Sequence, residues 1–148
     1  MFLVISLALA IPARANFHVG KADKQTIPFG NSPVLKFTDY IACPSNYMNC
    51  KCYGGYKPNS DRGVGTVSGG ISGDFSLKAG LCGMGQLDFY HRADQKKWEF
   101  YVHGGDGSIQ GTCYPTTDTI KGCALNTGTT LQTNYDDKLI CYSYICGN

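Results

Sequence analysis

The stretch that decides the fold is residues 86–114, whose sequence is QLDFYHRADQKKWEFYVHGGDGSIQGTCY. Apolar and polar side chains alternate through residues 86–92 and again through residues 97–103, and this two-residue period predicts half-buried strands. The polar link at residues 93–96 has the length of a hairpin loop. The sequence therefore predicts an antiparallel hairpin at the centre of the chain.

The same alternation specifies the register of the hairpin. If Arg92 lies opposite Lys97, then Phe89 faces Phe100 on a mostly apolar side, next to Trp98. A slip of one residue would move these aromatic side chains to the solvent-exposed side of the sheet, so the register is strongly constrained. The other side gathers six polar or aromatic side chains: Asp88, Tyr90, Arg92, Glu99, Tyr101 and His103.

A second turn follows at residues 104–107, where Gly and Asp supply the positive φ values that tight hairpin turns require. Pairing His103 with Ser108 places Ile109 and Cys113 on the apolar side of a third strand. Three strands then agree on one inside and one outside, and such agreement between neighbouring elements is typical of a real sheet.

Composition places the chain among small, turn-rich β proteins. Its 148 residues suffice for one domain, only 16% are charged, and Gly (19) and Tyr (10) are abundant. The net charge of +2 gives no electrostatic basis for binding nucleic acid or an anionic membrane. We therefore expect no nucleic-acid partner.

The beginning of the chain resembles a secretion signal. Residues 2–11 form an apolar run of the length of a signal-peptide core, and Ala13-Arg14-Ala15 matches a small-residue cleavage site. The run is too short to span a bilayer, and no other stretch is long enough, so we expect no membrane span. Residues 1–15 are predicted to be a signal peptide and residues 16–148 a single secreted domain. The alternative is a buried N-terminal strand.

Eight cysteines behind a signal peptide predict four disulfides, with 105 possible connectivities. Cys50 and Cys52 are too close in sequence to bridge each other comfortably, so each is expected to have a distant partner. Paired C-x-x-C motifs with His at ligand spacing are missing, and we predict no metal or cofactor. The disulfide-forming residues are Cys43, Cys50, Cys52, Cys82, Cys113, Cys123, Cys141 and Cys146.

The rest of the chain is predicted as short strands joined by loops. Strands are expected at residues 16–22, 34–41, 63–70, 74–79 and 138–146, and the second of these could instead be a short helix. Loops are expected at residues 21–33, 43–61 and 115–134, the last with one short strand at 129–133.

Cys141 and Cys146 fall on opposite faces of the last predicted strand, so they are expected to cross-link different layers. The predicted fold class is all-β, with room for one short helix, in a disulfide-stapled antiparallel sandwich or small barrel.

The polar side of the hairpin supports two hypotheses. Glu99, His103 and Arg92 would supply the base, the acid and the phosphate-binding cation of a small secreted ribonuclease. A solvated antiparallel face carries the same kinds of residue, because opposite charges on neighbouring strands stabilise each other. A second catalytic histidine would have to be His18, which nothing in the sequence places nearby. We expect His91, on the Trp98 side, to belong to the core or its rim.

Tyrosine is the other unusual feature, because the chain has more of it than a small core can hold. Tyrosine is large, stiff and amphipathic, which suits recognition surfaces and stacking on sugar rings. The alternative is packing over disulfides at the rim of the core. The strongest binding candidates are Tyr90, Tyr101 and Asp88, and the tyrosines expected to be exposed are Tyr47, Tyr53, Tyr56, Tyr90, Tyr101, Tyr142 and Tyr144.

These features together resemble a known class of protein. Six stretches are similar to a pattern in the small cysteine-rich, effector-like secreted proteins of filamentous fungi: Leu81-Cys82-Gly83, Asp88-Phe89-Tyr90, Trp98-Glu99-Phe100-Tyr101, Gly105-Asp106-Gly107, Gly111-Thr112-Cys113-Tyr114 and Cys141-Tyr142-Ser143-Tyr144-Ile145-Cys146. The resemblance covers residues 16–148 and implies an extracellular role directed at a host or a competitor. It implies no catalytic residues. The Tyr, Glu, Arg and His of the fungal guanyl-specific ribonucleases cannot be aligned in order on this chain.

The sequence therefore favours a secreted monomer that binds an extracellular protein or glycan without catalysis. The alternative is a small secreted hydrolase that uses Glu99, His103 and Arg92.

Overall fold

The computed structural model describes residues 14–54, 65–117, 121–126 and 130–147. Within these residues the chain forms nine strands and one α-helix, joined by turns and three short 3-10 helices. In chain order they are β1 (Arg14–Ile27), β2 (Leu35–Pro44), α1 (Cys50–Tyr53), β3 (Gly65–Ser68), β4 (Phe75–Leu77), β5 (Leu87–Arg92), β6 (Lys97–Val102), β7 (Gly111–Pro115), β8 (Lys121–Asn126) and β9 (Thr130–Ser143).

All nine strands belong to one antiparallel sheet, in the order β1-β2-β3-β4-β5-β6-β7-β9-β8, and β1 also pairs with β9. This extra pairing nearly closes the sheet into a barrel. One side of β9 follows β1 along its whole length, and the other side is shared by β7 and β8. The prediction of an all-β, disulfide-stapled fold with one short helix is confirmed, in its barrel form.

The central hairpin has the predicted register. Arg92 lies opposite Lys97, and Phe89 lies opposite Phe100. The third strand also pairs as expected, except at its beginning: β7 starts at Gly111, and the preceding Ile109 is 55% exposed. The expectation that Ile109 would pack inside was wrong, because the alternation of a strand does not extend into the loop before it.

Aromatic rings fill the interior of the barrel. The Phe89 and Phe100 rings stack with centroids 4.9 Å apart, and Phe17 from β1 meets Phe100 edge-on at 5.4 Å. Trp98 is nearly buried, and its indole N–H donates a 2.9 Å hydrogen bond to the carbonyl of Gly73. Burial of the aromatic side of the hairpin is therefore confirmed, and it leaves the polar side facing outward.

A second cluster forms where α1 covers the outer face of β1, β2 and β9. Tyr53 of α1 stacks on Tyr135 of β9 with ring centroids 4.2 Å apart. Gly20 of β1 makes room for this stack, because a Cβ atom there would collide with the Tyr135 ring. Asn49 caps α1 by accepting hydrogen bonds from the backbone N–H groups of Lys51 and Cys52.

All eight cysteines are paired, as predicted, in Cys43–Cys52, Cys50–Cys123, Cys82–Cys146 and Cys113–Cys141. Two expectations about individual bridges were wrong. Cys52 bonds to a residue only nine positions away. Cys141 bonds to its directly opposite neighbour on β7, so this bridge joins adjacent strands rather than two layers.

Three loop predictions were also wrong. Strand β1 continues to Ile27, although residues 21–27 are mostly polar, because β2 and β9 hydrogen-bond to it on both sides. The predicted loop at residues 115–134 also holds β8, which was not expected, whereas the short strand expected at residues 129–133 is confirmed as the beginning of β9. Helix α1 forms within residues 43–61, which were expected to be a loop.

Residues 1–13 lie outside the described part of the chain, so the signal peptide stays a prediction. Arg14 and Ala15 form the start of β1 and pair with Ser143 and Tyr142 of β9. No helix among the described residues is long and apolar enough to cross a membrane.

Candidate functional site

The outward side of β5 and β6 brings the predicted polar residues together. Tyr90 lies opposite Glu99, and Asp88 lies opposite Tyr101. The Tyr90 and Tyr101 rings meet edge-to-face, with centroids 5.6 Å apart. The binding candidates named from the sequence are therefore neighbours on one surface.

Glu99 is surrounded by hydrogen-bond donors. Arg92 Nε lies 3.3 Å from one carboxylate oxygen, Lys97 Nζ lies 3.3 Å from the other, and the Tyr101 hydroxyl donates a 3.2 Å hydrogen bond. Desolvation acts to raise the pKa of Glu99, but these donors outweigh it and the pKa is lowered. Hydrogen bonds with Tyr101 and Glu99 raise the pKa of Arg92. Glu99 is thus held as a paired carboxylate, which weakens it as a general base or acid.

Asp88 and His103 form a second pair on this side. His103 Nδ1 lies 2.6 Å from Asp88 Oδ2, and the Ser76 hydroxyl donates a 2.8 Å hydrogen bond to Oδ1. Gln86 also donates to Oδ1, at 3.1 Å. Partial burial acts to raise the pKa of Asp88, but these hydrogen bonds outweigh it and the pKa falls below its ordinary value. The three residues of the catalytic alternative are therefore split between two carboxylate pairs.

An open cavity of about 310 Å³ lies over this surface. The turn after β6 forms one wall, and Gly104 and Gly107 have positive φ values of 67° and 82° there. Such values are easily adopted by glycine, which explains the glycines in this turn. The cavity is lined by Asp88, Tyr90, Arg92, Tyr101, Val102, Gly104, Gly105 and Gly107.

The same outward surface continues across β7 and β9. Thr112 lies opposite Glu99 on one side and opposite Tyr142 on the other. The Tyr114 and Tyr142 rings meet edge-to-face at 6.0 Å. A second cavity of about 470 Å³ is lined by Ile109, Gln110, Gly111, Thr112, Tyr114, Tyr142 and Tyr144.

We call the outward side of these four strands the tyrosine face, because each strand contributes one exposed or half-exposed tyrosine. Its four tyrosines are Tyr90 on β5, Tyr101 on β6, Tyr114 on β7 and Tyr142 on β9.

The other tyrosines that the sequence predicted to be exposed differ in their burial. Tyr144 is exposed as expected, Tyr53 is only 1% exposed, and the Tyr47 hydroxyl is buried. The exposure predicted for Tyr53 was wrong because α1 turns this ring onto Tyr135. Tyr56 lies outside the described residues. Tyr114 was missed, although extending the alternation of the third strand by two residues would have found it.

The remaining histidines stay apart from the tyrosine-face charges. His18 Nδ1 lies 2.7 Å from Asp137 Oδ2, within the layer that α1 covers, and β9 and β7 separate its strand from the hairpin. His91 stacks on Trp98 with ring centroids 4.2 Å apart, at the rim of the core. Neither histidine joins Glu99 and His103, so a catalytic pair of histidines is not assembled there.

No group of three or more His, Cys, Asp or Glu side chains in the described part of the chain could hold a metal ion. Comparison with protein-family models, curated proteins and solved structures found no match to this chain. Four disulfides in one small domain are typical of an extracellular cysteine-rich protein.

Proposed function

We propose that the protein is secreted and acts by binding an extracellular target of a host or a competitor, without catalysis. The binding surface is the hairpin part of the tyrosine face, with Tyr90 and Tyr101 as aromatic contacts and Asp88 as a hydrogen-bonding group. The resemblance to the effector-like cysteine-rich proteins of filamentous fungi supports the same role.

The observation that carries this proposal is the paired state of every charge beside the two tyrosines. Glu99 is balanced by Arg92 and Lys97, and Asp88 is held by His103. A general acid or base needs a pKa near the working pH, whereas the pKa of each carboxylate is lowered. Tyr90 is exposed, Tyr101 is half-exposed, and the two rings are fixed by each other, which suits recognition.

Fixing an aromatic ring before binding reduces the entropy lost on association. The edge-to-face contact of Tyr90 with Tyr101 and the hydrogen bond from Tyr101 to Glu99 hold both rings in place. The charged pairs therefore serve to position the rings.

The test uses the folded, labelled protein and two probes: isolated plant and fungal cell walls, and extracellular proteins from the same sources. We expect retention by at least one probe, and we expect the double variant Tyr90→Ala/Tyr101→Ala to lose it. Phe29→Ala is the matched control, because Phe29 is an exposed aromatic in the β1–β2 loop and lines neither cavity. Equal retention of the wild type and the double variant would refute the proposal.

The hydrolase alternative is tested in parallel. The wild type and Glu99→Gln are incubated with RNA and with cell-wall glycans, and the products are separated by size. We expect no cleavage by either protein. Cleavage by the wild type that disappears in Glu99→Gln would replace the binding proposal with the catalytic one.

A further inference from the structure

We infer that the target is an uncharged polysaccharide, bound across the strands along the whole tyrosine face from Tyr90 to Tyr142. This inference rests on the proposed function and extends it in two respects. It gives the chemical class of the ligand, and it adds the cavity beside Tyr114 and Tyr142 to the binding surface.

The tyrosine face is continuous across four strands. Tyr90, Glu99, Thr112 and Tyr142 are directly opposite neighbours on four successive strands, so their side chains share one side of the sheet. Three strand spacings separate the first tyrosine from the last, which is about 14 Å.

The two cavities lie beside the neighbouring strands β6 and β7. Tyr101 lines the first and Gln110 lines the second, and the Gln110 N–H donates a 2.8 Å hydrogen bond to the carbonyl of Phe100, the residue before Tyr101. The surface thus extends over four strands, which suits a chain molecule more than a compact small molecule.

The tyrosine face offers aromatic rings and uncharged hydrogen-bonding groups to a ligand. Tyr90 and Tyr114 are each 42% exposed and Tyr142 is 36% exposed, so their rings are accessible while their bases pack on the sheet. A tyrosine ring can lie against the apolar C–H face of a sugar while its hydroxyl hydrogen-bonds to the sugar's rim. Thr112 and Gln110 place uncharged hydrogen-bonding groups between the rings.

The charged side chains of the tyrosine face are paired with one another. Arg92 and Lys97 both contact Glu99, and Asp88 is paired with His103; the two carboxylates and the two permanently basic groups balance in number, so no net field attracts a polyanion or a polycation. Nucleic acids and acidic polysaccharides are bound largely through unpaired basic side chains. The paired charges and the repeated hydroxyl, amide and aromatic groups therefore match a neutral glycan best.

The experiment is affinity electrophoresis of the native, disulfide-bonded protein in gels containing one soluble polysaccharide each. The neutral probes are laminarin, xylan and hydroxyethyl cellulose, and polygalacturonate is the acidic comparison. We expect at least one neutral polysaccharide to retard the protein and polygalacturonate to have no effect. Retardation by polygalacturonate alone, or by none of the four, overturns the inference.

Single variants test the extent of the surface. We expect Tyr90→Ala, Tyr114→Ala and Tyr142→Ala each to weaken retardation about tenfold, which corresponds to about 1.4 kcal/mol. Phe29→Ala should match the wild type. Thermal unfolding of every variant under non-reducing conditions checks that only binding has changed.

The outcomes separate the inference from the proposed function. If Tyr90→Ala loses binding while Tyr142→Ala and Tyr114→Ala bind like the wild type, the extension across β7 and β9 is overturned, but the hairpin surface remains as the binding site. Retention by extracellular proteins alone, abolished by Tyr90→Ala/Tyr101→Ala, overturns the glycan ligand and keeps the proposed function. Retention that is indifferent to every tyrosine variant removes both.

Discussion

Gly111 shows how one residue controls the approach of two strands beneath the tyrosine face. A Cβ atom at this position would lie 2.7 Å from a carbon of the Phe100 ring and 2.7 Å from the Ser143 Cβ, and it would collide with the Tyr142 carbonyl. Backbone atoms of a paired strand cannot move aside at low cost. The absence of a side chain therefore lets β7 lie against β9 and the aromatic core at once.

We expect Gly111→Ala to lower the free energy of unfolding by about 2–3 kcal/mol, since overpacking a rigid site forces backbone shifts. Chemical denaturation followed by tryptophan fluorescence measures the change. Gly70→Ala is the matched control, because nothing lies within 4 Å of a Cβ placed there. Similar stabilities of the two variants would show that β7 and β9 can separate without cost.

Much of the residue-scale structure of the hairpin could be predicted, and the reason is physical. Trp98 and Phe100 alternate with Glu99 and Tyr101, and only one register puts both large apolar rings inside. The fate of Tyr53 could not be predicted in this way, because its burial depends on the pairing of distant cysteines that places α1 over β9.

At the scale of the elements, each disulfide constrains the fold according to the length of chain that it closes. Cys50–Cys123 spans 73 residues and Cys82–Cys146 spans 64, and all four cysteines are half-buried. The first ties α1 to β8, and the second ties the turn before β5 to the end of the chain. Neither pairing was predictable, because eight cysteines leave many connectivities open.

Replacing either pair with alanine is expected to lower the free energy of unfolding by about 4 kcal/mol, because loop-closure entropy depends on the logarithm of the loop length. The two double variants, Cys50→Ala/Cys123→Ala and Cys82→Ala/Cys146→Ala, should therefore be nearly equally stable in urea unfolding. A difference between them of more than about 2 kcal/mol would show that local packing, rather than chain closure, dominates.

The polar strands are the elements that sequence patterns missed. Residues 21–27 carry few apolar side chains, and their contacts include Lys24 with Asp39 and Gln25 with Gln132. Hydrogen-bonded partners on both sides hold this segment extended without the alternation that marks a half-buried strand. Its long-range partners are not visible in the local sequence, and for that reason it resembles a loop.

At the scale of the whole molecule, β1 is hydrogen-bonded on both sides along most of its length. Residues 17–26 pair with β2 on one side and with β9 on the other, whereas β8 pairs only with β9 among the strands that the structure describes. The barrel and the covered outer layer both depend on β1, since its two sides contribute to both buried clusters.

We expect the backbone amides of residues 17–26 to exchange with deuterium at least about tenfold more slowly than those of β8, because opening β1 requires disrupting both neighbours. Hydrogen exchange followed by mass spectrometry, on protein with intact disulfides, measures both segments in one sample. Faster exchange in β1 than in β8 would contradict the central place given to β1.

Because the strands differ in length, some strand segments are paired on both sides and others have one unpaired edge. Around the barrel each strand has two neighbours, but beyond it β8 and the first half of β2 have a partner on one side only among the described strands. Exposed edges of this kind are where further strands can add. Growth into filaments or crystals by backbone pairing would thus proceed from β8 and the first half of β2, and the tyrosine face would stay open to solvent in every copy.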